Sequence, residues 1–240
     1  MRYLLTICYN GEKFCGWQKQ KNGISIQGEI EKAIETLTKE KVDVIGSGRT
    51  DAGVNAIGQK AHFEVDREIK NLPKFIYSIN GILDNDIKIL EIVPTIVHAR
   101  YSAKKKTYLY KMYVSNYDLP YKFKSLRIDE KCNFKLMKSY AKMLKGKKDF
   151  KNFACSGSSV ETTIRTIYSI KFKRNSNDID FYITGNGFLY KMVRNIVGLL
   201  VEAGNKNMDK ATFLSLAFGE KSVKKTAPPN PLFLYNVFYK

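Results

Sequence analysis

Gly46-Ser47-Gly48-Arg49-Thr50-Asp51-Ala52-Gly53-Val54-Asn55-Ala56 is the stretch on which the reading of this chain turns. A short apolar run, Val42 to Ile45, precedes it, and a strand-like run, Ala61 to Val65, follows. Between them the chain is small and glycine-rich, with two charges, Arg49 and Asp51. Glycine serves where a backbone takes a positive φ or where another segment comes close. A carboxylate on such a loop, two residues from a guanidinium and flanked by strands, suits chemistry. The plain alternative is a strand connection in which Asp51 bonds its own backbone. Spacing alone leaves both open. A dinucleotide fingerprint is excluded, because its third glycine position falls on Asp51, where an acid would repel a pyrophosphate. A P-loop is excluded by the lack of Gly-Lys-Ser/Thr.

The chain has 240 residues, 44% of them hydrophobic, enough for one large domain or two small ones sharing a core. No apolar run is long enough to span a membrane. The first residues read directly as a strand, Tyr3 to Ile7, which predicts no signal peptide. Four scattered cysteines and two histidines make a zinc site improbable and suit a reducing cytoplasm. The net charge is +18. Residues 1–102 hold 14 basic and 13 acidic side chains, whereas residues 103–240 hold 27 and 10. The second half is thus the part that would first meet a polyanion such as nucleic acid. A strongly basic amphipathic helix that would favour a membrane surface is missing. Arginine is scarce, eight residues against 33 lysines. Four of the eight, Arg49, Arg100, Arg165 and Arg194, fall in motif-bearing segments, where a planar fork has a use that lysine cannot fill.

Outward from the loop, the pattern predicts a strand at 3–9 and a helix capped by Ser25. That helix turns Ile26, Ile30, Ala33, Ile34 and Leu37 inward and leaves Glu29, Glu31 and Lys32 outside. A helix at 72–79 with Pro73 in its first turn and a strand at 87–93 follow. The strand 107–114 puts Tyr108, Tyr110, Met112 and Val114 on one side, next to Lys104-Lys105-Lys106. A helix at 133–145 ends before Gly146. A Ser/Gly stretch, 156–159, reads as a flexible loop. Strands 163–167 and 179–184 pair across a polar turn at 175–178. A helix in 188–200 buries Phe188, Leu189, Met192, Val193, Ile196 and Leu200, with Lys191, Arg194, Asn195, Gly198 and Glu202 on its polar side. A proline-rich turn, Pro228 to Pro231, precedes a last strand at 232–239. This order predicts an α+β fold with helices on one face of the sheet.

The phrase Ser47-Gly48-Arg49-Thr50-Asp51-Ala52-Gly53-Val54 resembles the catalytic motif of the tRNA pseudouridine synthase A family. Further segments match in order: the phrase ending Gly16-Trp17-Gln18, Val97 to Ala103, Asp149-Phe150, Thr163 to Arg165, and Gly185 to Gly198. The resemblance implies a central, mostly antiparallel sheet built from two similar halves with a cleft between them. The halves would be 1–102, carrying the aspartate loop, and the basic 103–240. It implies conversion of uridine to pseudouridine in the tRNA anticodon stem-loop by a cytoplasmic homodimer, with no cofactor and no metal. It gives Asp51 as the nucleophile, Tyr108 as the tyrosine stacked on the target base, and Arg194 as the salt-bridge partner of Asp51. Arg49 would hold the flipped nucleotide, and Arg100 belongs to the basic-aromatic patch that holds RNA. Two positions depart from the family pattern: histidine is usual where Asn55 stands, and glycine where Pro231 stands. A diverged paralogue with narrower RNA targets and a non-catalytic RNA-binding module are the competing readings. The second gives no role to a lone acid in a basic cleft.

Overall fold

The computed structural model describes residues 1–155, 161–219, 223 and 225–240. The Ser/Gly stretch 156–159 lies outside them. The chain divides into two compact units, Met1–Lys104 with Phe233–Lys240, and Lys105–Leu232. The C-terminal segment, which the sequence pattern grouped with the second half, therefore belongs to the first unit. Strand pairing over long sequence separation decides this, and local pattern does not encode it.

The first unit is built on β1 (Arg2–Tyr9), β2 (Ile45–Gly46), β3 (Asn55–Glu64) and β4 (Ile87–Pro94), together with β10 (Leu232–Phe238). β1 lies between β3 and β4 and is antiparallel to both; β10 runs parallel to β3. Two helices, α1 (Ile26–Thr38) and α2 (Leu72–Ile82), complete the unit. The Ser25 side chain accepts the Gly28 N–H and caps α1, and Asn71 caps α2 by accepting from Lys74. Ile26, Ile30, Ala33 and Ile34 are buried as the spacing predicts. Glu31 is also buried, against expectation. Its carboxylate accepts the Val44 N–H at 3.1 Å and pairs with Lys19 at 3.1 Å, so burial leaves neither oxygen unsatisfied.

The second unit is a run of antiparallel neighbours, β5 (Lys105–Val114), β9 (Asp178–Gly185), β8 (Ile164–Asn175) and β7 (Gly146–Asp149). A short strand, β6 (Leu126–Ile128), adds to β5 in parallel. The β8–β9 hairpin turns at Ser176, where φ is +53. Helices α3 (Phe134–Met143), α4 (Met192–Lys206) and α5 (Lys210–Phe218) complete it. The α+β class and the mostly antiparallel pairing hold in each unit.

α4 corrects the sequence reading in two ways. It begins at Met192, not at Phe188, after Lys191 takes a left-handed conformation with φ +58. Asn195 and Gly198, expected on a polar face, are buried. Asn195 donates to the Phe153 carbonyl at 2.8 Å and accepts from Thr226 at 2.7 Å. At Gly198 an added Cβ would lie 2.0 Å from the Lys225 carbonyl oxygen. α5 was not visible in the sequence, because its apolar residues follow no helical period. It is fixed by aromatic packing, with Phe213 stacked on Tyr140 at 4.4 Å and Phe218 against Phe150 and Phe153.

Two glycines should therefore respond oppositely to alanine. Gly198→Ala forces α4 away from the Lys225 backbone and should cost about 1–3 kcal/mol. Gly81→Ala, late in α2 with nothing within 4 Å of its Cβ, should be neutral or stabilising by up to about 1 kcal/mol. Urea unfolding midpoints measure both.

Candidate active site

In the first unit the Asp51 loop is held from beneath by the segment that follows β1. The Val54 N–H donates to the Asp51 carbonyl at 3.1 Å, closing a four-residue turn, and Gly53 takes φ +76 at its third position. The Gly53 N–H donates to the Gly11 carbonyl at 3.2 Å, and the Trp17 N–H donates to the Thr50 carbonyl at 3.1 Å. These crossings bring two backbones together more closely than side chains permit. A Cβ on Gly11 would lie 2.1 Å from the Val54 oxygen, and one on Gly16 would lie 2.6 Å from that of Thr50. Trp17 is buried against Gly46, where a Cβ would fall 2.5 Å from its indole. The lone tryptophan is thus the wedge under the loop and not a surface aromatic.

Side chains complete the clasp. A bulge between Ile7 and Tyr9 breaks the β1–β3 register, and the Tyr9 hydroxyl bonds the Thr50 hydroxyl at 2.8 Å. Burial pushes the Tyr9 phenol well above its usual pKa, so it stays a neutral structural group. The buried Gln59 amide donates to the Gly48 carbonyl at 2.9 Å and accepts from Ser47 at 2.8 Å. Asn55 is buried too, and its Oδ1 accepts the Gly11 N–H at 3.0 Å. The Asn55 side chain therefore satisfies a buried backbone donor that would otherwise lack a partner there. Asp51 itself is half-buried, while Arg49 is exposed.

Arg49 is nonetheless tethered. Its Nε donates to Gln18 Oε1 at 3.2 Å; Gln18 donates to Gln27 at 2.6 Å, and Gln27 donates to Glu31 at 2.9 Å. This polar relay runs from α1 to the loop. The sequence hinted at it only through the glutamine beside Trp17.

Arg100 sits on a second structure in the same unit, a stack of rings. His62 meets His98 edge-on at 4.6 Å, and His98 stacks on Tyr101 at 4.4 Å. The exposed Arg100 guanidinium lies 5.8 Å from the Tyr101 ring centre. His98 Nδ1 accepts the N–H groups of Arg100 and Tyr101, fixing the turn that displays them.

In the second unit, Tyr108 is half-buried on β5, edge-on to Phe188 at 5.2 Å. Phe188 is a partner that the helical reading of its segment concealed. Arg165 is bonded to the Thr162 and Ile164 carbonyls beside Gly187, and burial lowers its pKa. Arg194 is half-buried and not a solvated helix residue. Its Nε donates to the Ala227 carbonyl at 2.8 Å, and its own carbonyl accepts the Ala227 N–H at 3.1 Å. Among the described residues no group of three or more His, Cys, Asp or Glu could hold a metal ion. No helix among them is long and apolar enough to cross a membrane.

The profile of the tRNA pseudouridine synthase family matches residues 6–102 and 140–240, which include the Asp51 loop and α4. The chain belongs to this family. The chain is 40% identical to the tRNA pseudouridine synthase A of Acetivibrio thermocellus over 98% of both chains. It is 38% identical to tRNA pseudouridine synthase A 1 of Protochlamydia amoebophila, over 99% of this chain and 96% of that one. As a member of the tRNA pseudouridine synthase family the protein is an isomerase, with the α+β pseudouridine synthase fold.

His62 provides a pH test of the ring stack. Burial and the neighbouring His98 lower its pKa from 6.5 to about 4, and it accepts the Ala99 N–H at 3.1 Å on Nδ1. Between those values the unfolded chain takes a proton that the folded protein refuses. Stability should therefore fall as pH drops through 6.5 toward 4. His62→Asn, which keeps an acceptor for Ala99, should flatten the slope of the unfolding midpoint between about pH 6.5 and 5.

Proposed function

We propose that this protein isomerises uridine to pseudouridine in the anticodon stem-loop of tRNA, with Asp51 as the nucleophile. The observation carrying this reading is the clasp. Asp51 stands at the head of a glycine turn whose backbone is held by main-chain contacts on both sides, next to a tethered arginine. Such rigidity costs conformational freedom and suits a group that must meet a reacting atom within a few tenths of an ångström.

The net reaction breaks the N1–C1′ bond and forms C5–C1′. N1 gains a proton and C5 loses one. No electron is exchanged and no group is added, so the chemistry asks for a nucleophile and a proton carrier, with no cofactor and no metal. A stem base must first leave the stack. In this reading Arg49, tied to Gln18, steadies the flipped nucleotide, and Arg100 takes a phosphate. Tyr108 stacks on the uracil and moves the C5 proton. Arg194 supplies the cation that keeps Asp51 ionised and oriented. The protein works in the cytoplasm as a homodimer, whose paired basic units lengthen the tRNA contact.

Asp51→Asn is nearly isosteric and keeps the backbone turn, so the loop should fold. Pseudouridine formation should fall at least ~10³-fold, since an amide is no nucleophile. Affinity for tRNA should hold or rise slightly, because a negative charge is lost. Rate and filter binding are measured on one preparation. A near-normal rate removes Asp51 from the mechanism.

Binding by the wild-type protein should weaken by roughly 10³-fold between about 50 and 200 mM salt if about six phosphates are neutralised. Charge reversal at Lys104 to Lys106 should weaken binding more than reversal at Lys32 or Lys39. Equal effects would contradict the second half as the principal grip.

A further inference from the structure

Between β5 and β6 the chain presents three large aromatic side chains to solvent within seven residues. Tyr117, Tyr121 and Phe123 are 77%, 70% and 67% exposed. One exposed ring needs no explanation, whereas a group of them on an ordered loop does. The loop is tied down on several sides. Arg127 bonds Asp118 at 3.0 Å and the Ser115 carbonyl at 3.3 Å, and the Leu119 N–H reaches the Tyr113 hydroxyl at 3.0 Å. Lys122 holds Asp178 at 2.6 Å. The backbone is therefore fixed while the rings remain outside.

Each of two rings carries an ammonium group. Lys122 Nζ is 5.9 Å from the Tyr121 ring centre, and Lys124 Nζ is 5.7 Å from that of Phe123. Beside Phe123 lies a groove of about 370 Å³, lined also by Leu126, Arg127, Pro228, Asn230 and Pro231. Its walls mix apolar faces with polar groups: the Asp118–Arg127 ion pair, the Ser125 hydroxyl and the Asn230 amide. The loop lies in residues 103–139, which the family profile does not match. Flat rings beside cations suit a base and its phosphate, and residues 103–240 carry 27 basic against 10 acidic side chains.

We propose that this loop and its groove form a nucleotide-stacking subsite that takes unpaired bases of the RNA substrate. Tyr121 and Phe123 are the stacking faces, and Lys124 meets the adjoining phosphate. The proposal rests on the reading that the substrate is tRNA.

The test uses the full chain and an unmodified tRNA transcript. In the double variant Tyr121→Ala/Phe123→Ala the KM should rise roughly 10-fold with kcat unchanged, since base stacking is lost. The ring-conserving pair Tyr121→Phe/Phe123→Tyr should keep the wild-type KM. Thermal midpoints should hold in both, because the rings are exposed. Ultraviolet cross-linking of bromouridine-substituted tRNA should label residues 115–127. An unchanged KM with an active wild-type protein overturns the subsite and leaves the function standing. A wild-type protein that forms no pseudouridine overturns the function, and labelling elsewhere then overturns the subsite as well. A double variant that changes oligomeric state at unchanged KM shows that the patch receives a second copy of this chain, which also overturns the proposal.

Discussion

The contact between two backbones, that of residues 10–17 and that of the Asp51 loop, is the constraint from which the first unit is organised. It requires Gly11 and Gly16 at the crossings, since a Cβ at either would strike the facing chain. It requires Gly46, because Trp17 lies flat against it. With those positions empty of side chain, main-chain hydrogen bonds to Thr50 and Gly53 fix where Asp51 sits. Tyr9, Gln59 and Asn55 then supply the remaining polar partners from β1 and β3. Buried polar groups of this kind are costly when half satisfied and rigid when fully satisfied. No buried side-chain nitrogen or oxygen among the described residues lacks a partner.

Much of this was legible in the sequence, for physical reasons. Ser25 capping α1 and the polar turn of the β8–β9 hairpin at 175–178 are local, and local chemistry is what a sequence displays. The burial of Glu31, Asn195 and Gly198 was not legible. A polar residue or a glycine reads as exposed until its partner is known, and partners such as Val44 for Glu31 and Phe153 for Asn195 lie 13 and 42 residues away. α5 escaped because its apolar residues point all round. The place of β10 in the first unit depends on its pairing with Asn55 and Ala56. Around the site, the aspartate loop was evident from its glycines. The Gln18–Gln27–Glu31 relay and the His62–His98–Tyr101 stack were not, since each joins residues that share no local pattern.

Charge adds a second layer. Residues 1–102 are nearly balanced, with 14 basic and 13 acidic side chains, and the later residues carry the excess of cations. Arginine marks the places where direction matters. Arg49 is aimed by Gln18, Arg165 by two carbonyls, and Arg194 by Ala227. Lysine covers the rest of the surface, where a point charge is sufficient for a polyanion.

The most direct measurement is of position. Purified protein is incubated with unmodified tRNA transcripts, and pseudouridines are mapped by carbodiimide modification and primer extension. The account predicts stops confined to uridines of the anticodon stem-loop, appearing without added metal or cofactor. Tight tRNA binding with no new stop in any transcript, or stops only outside that stem-loop, would contradict it.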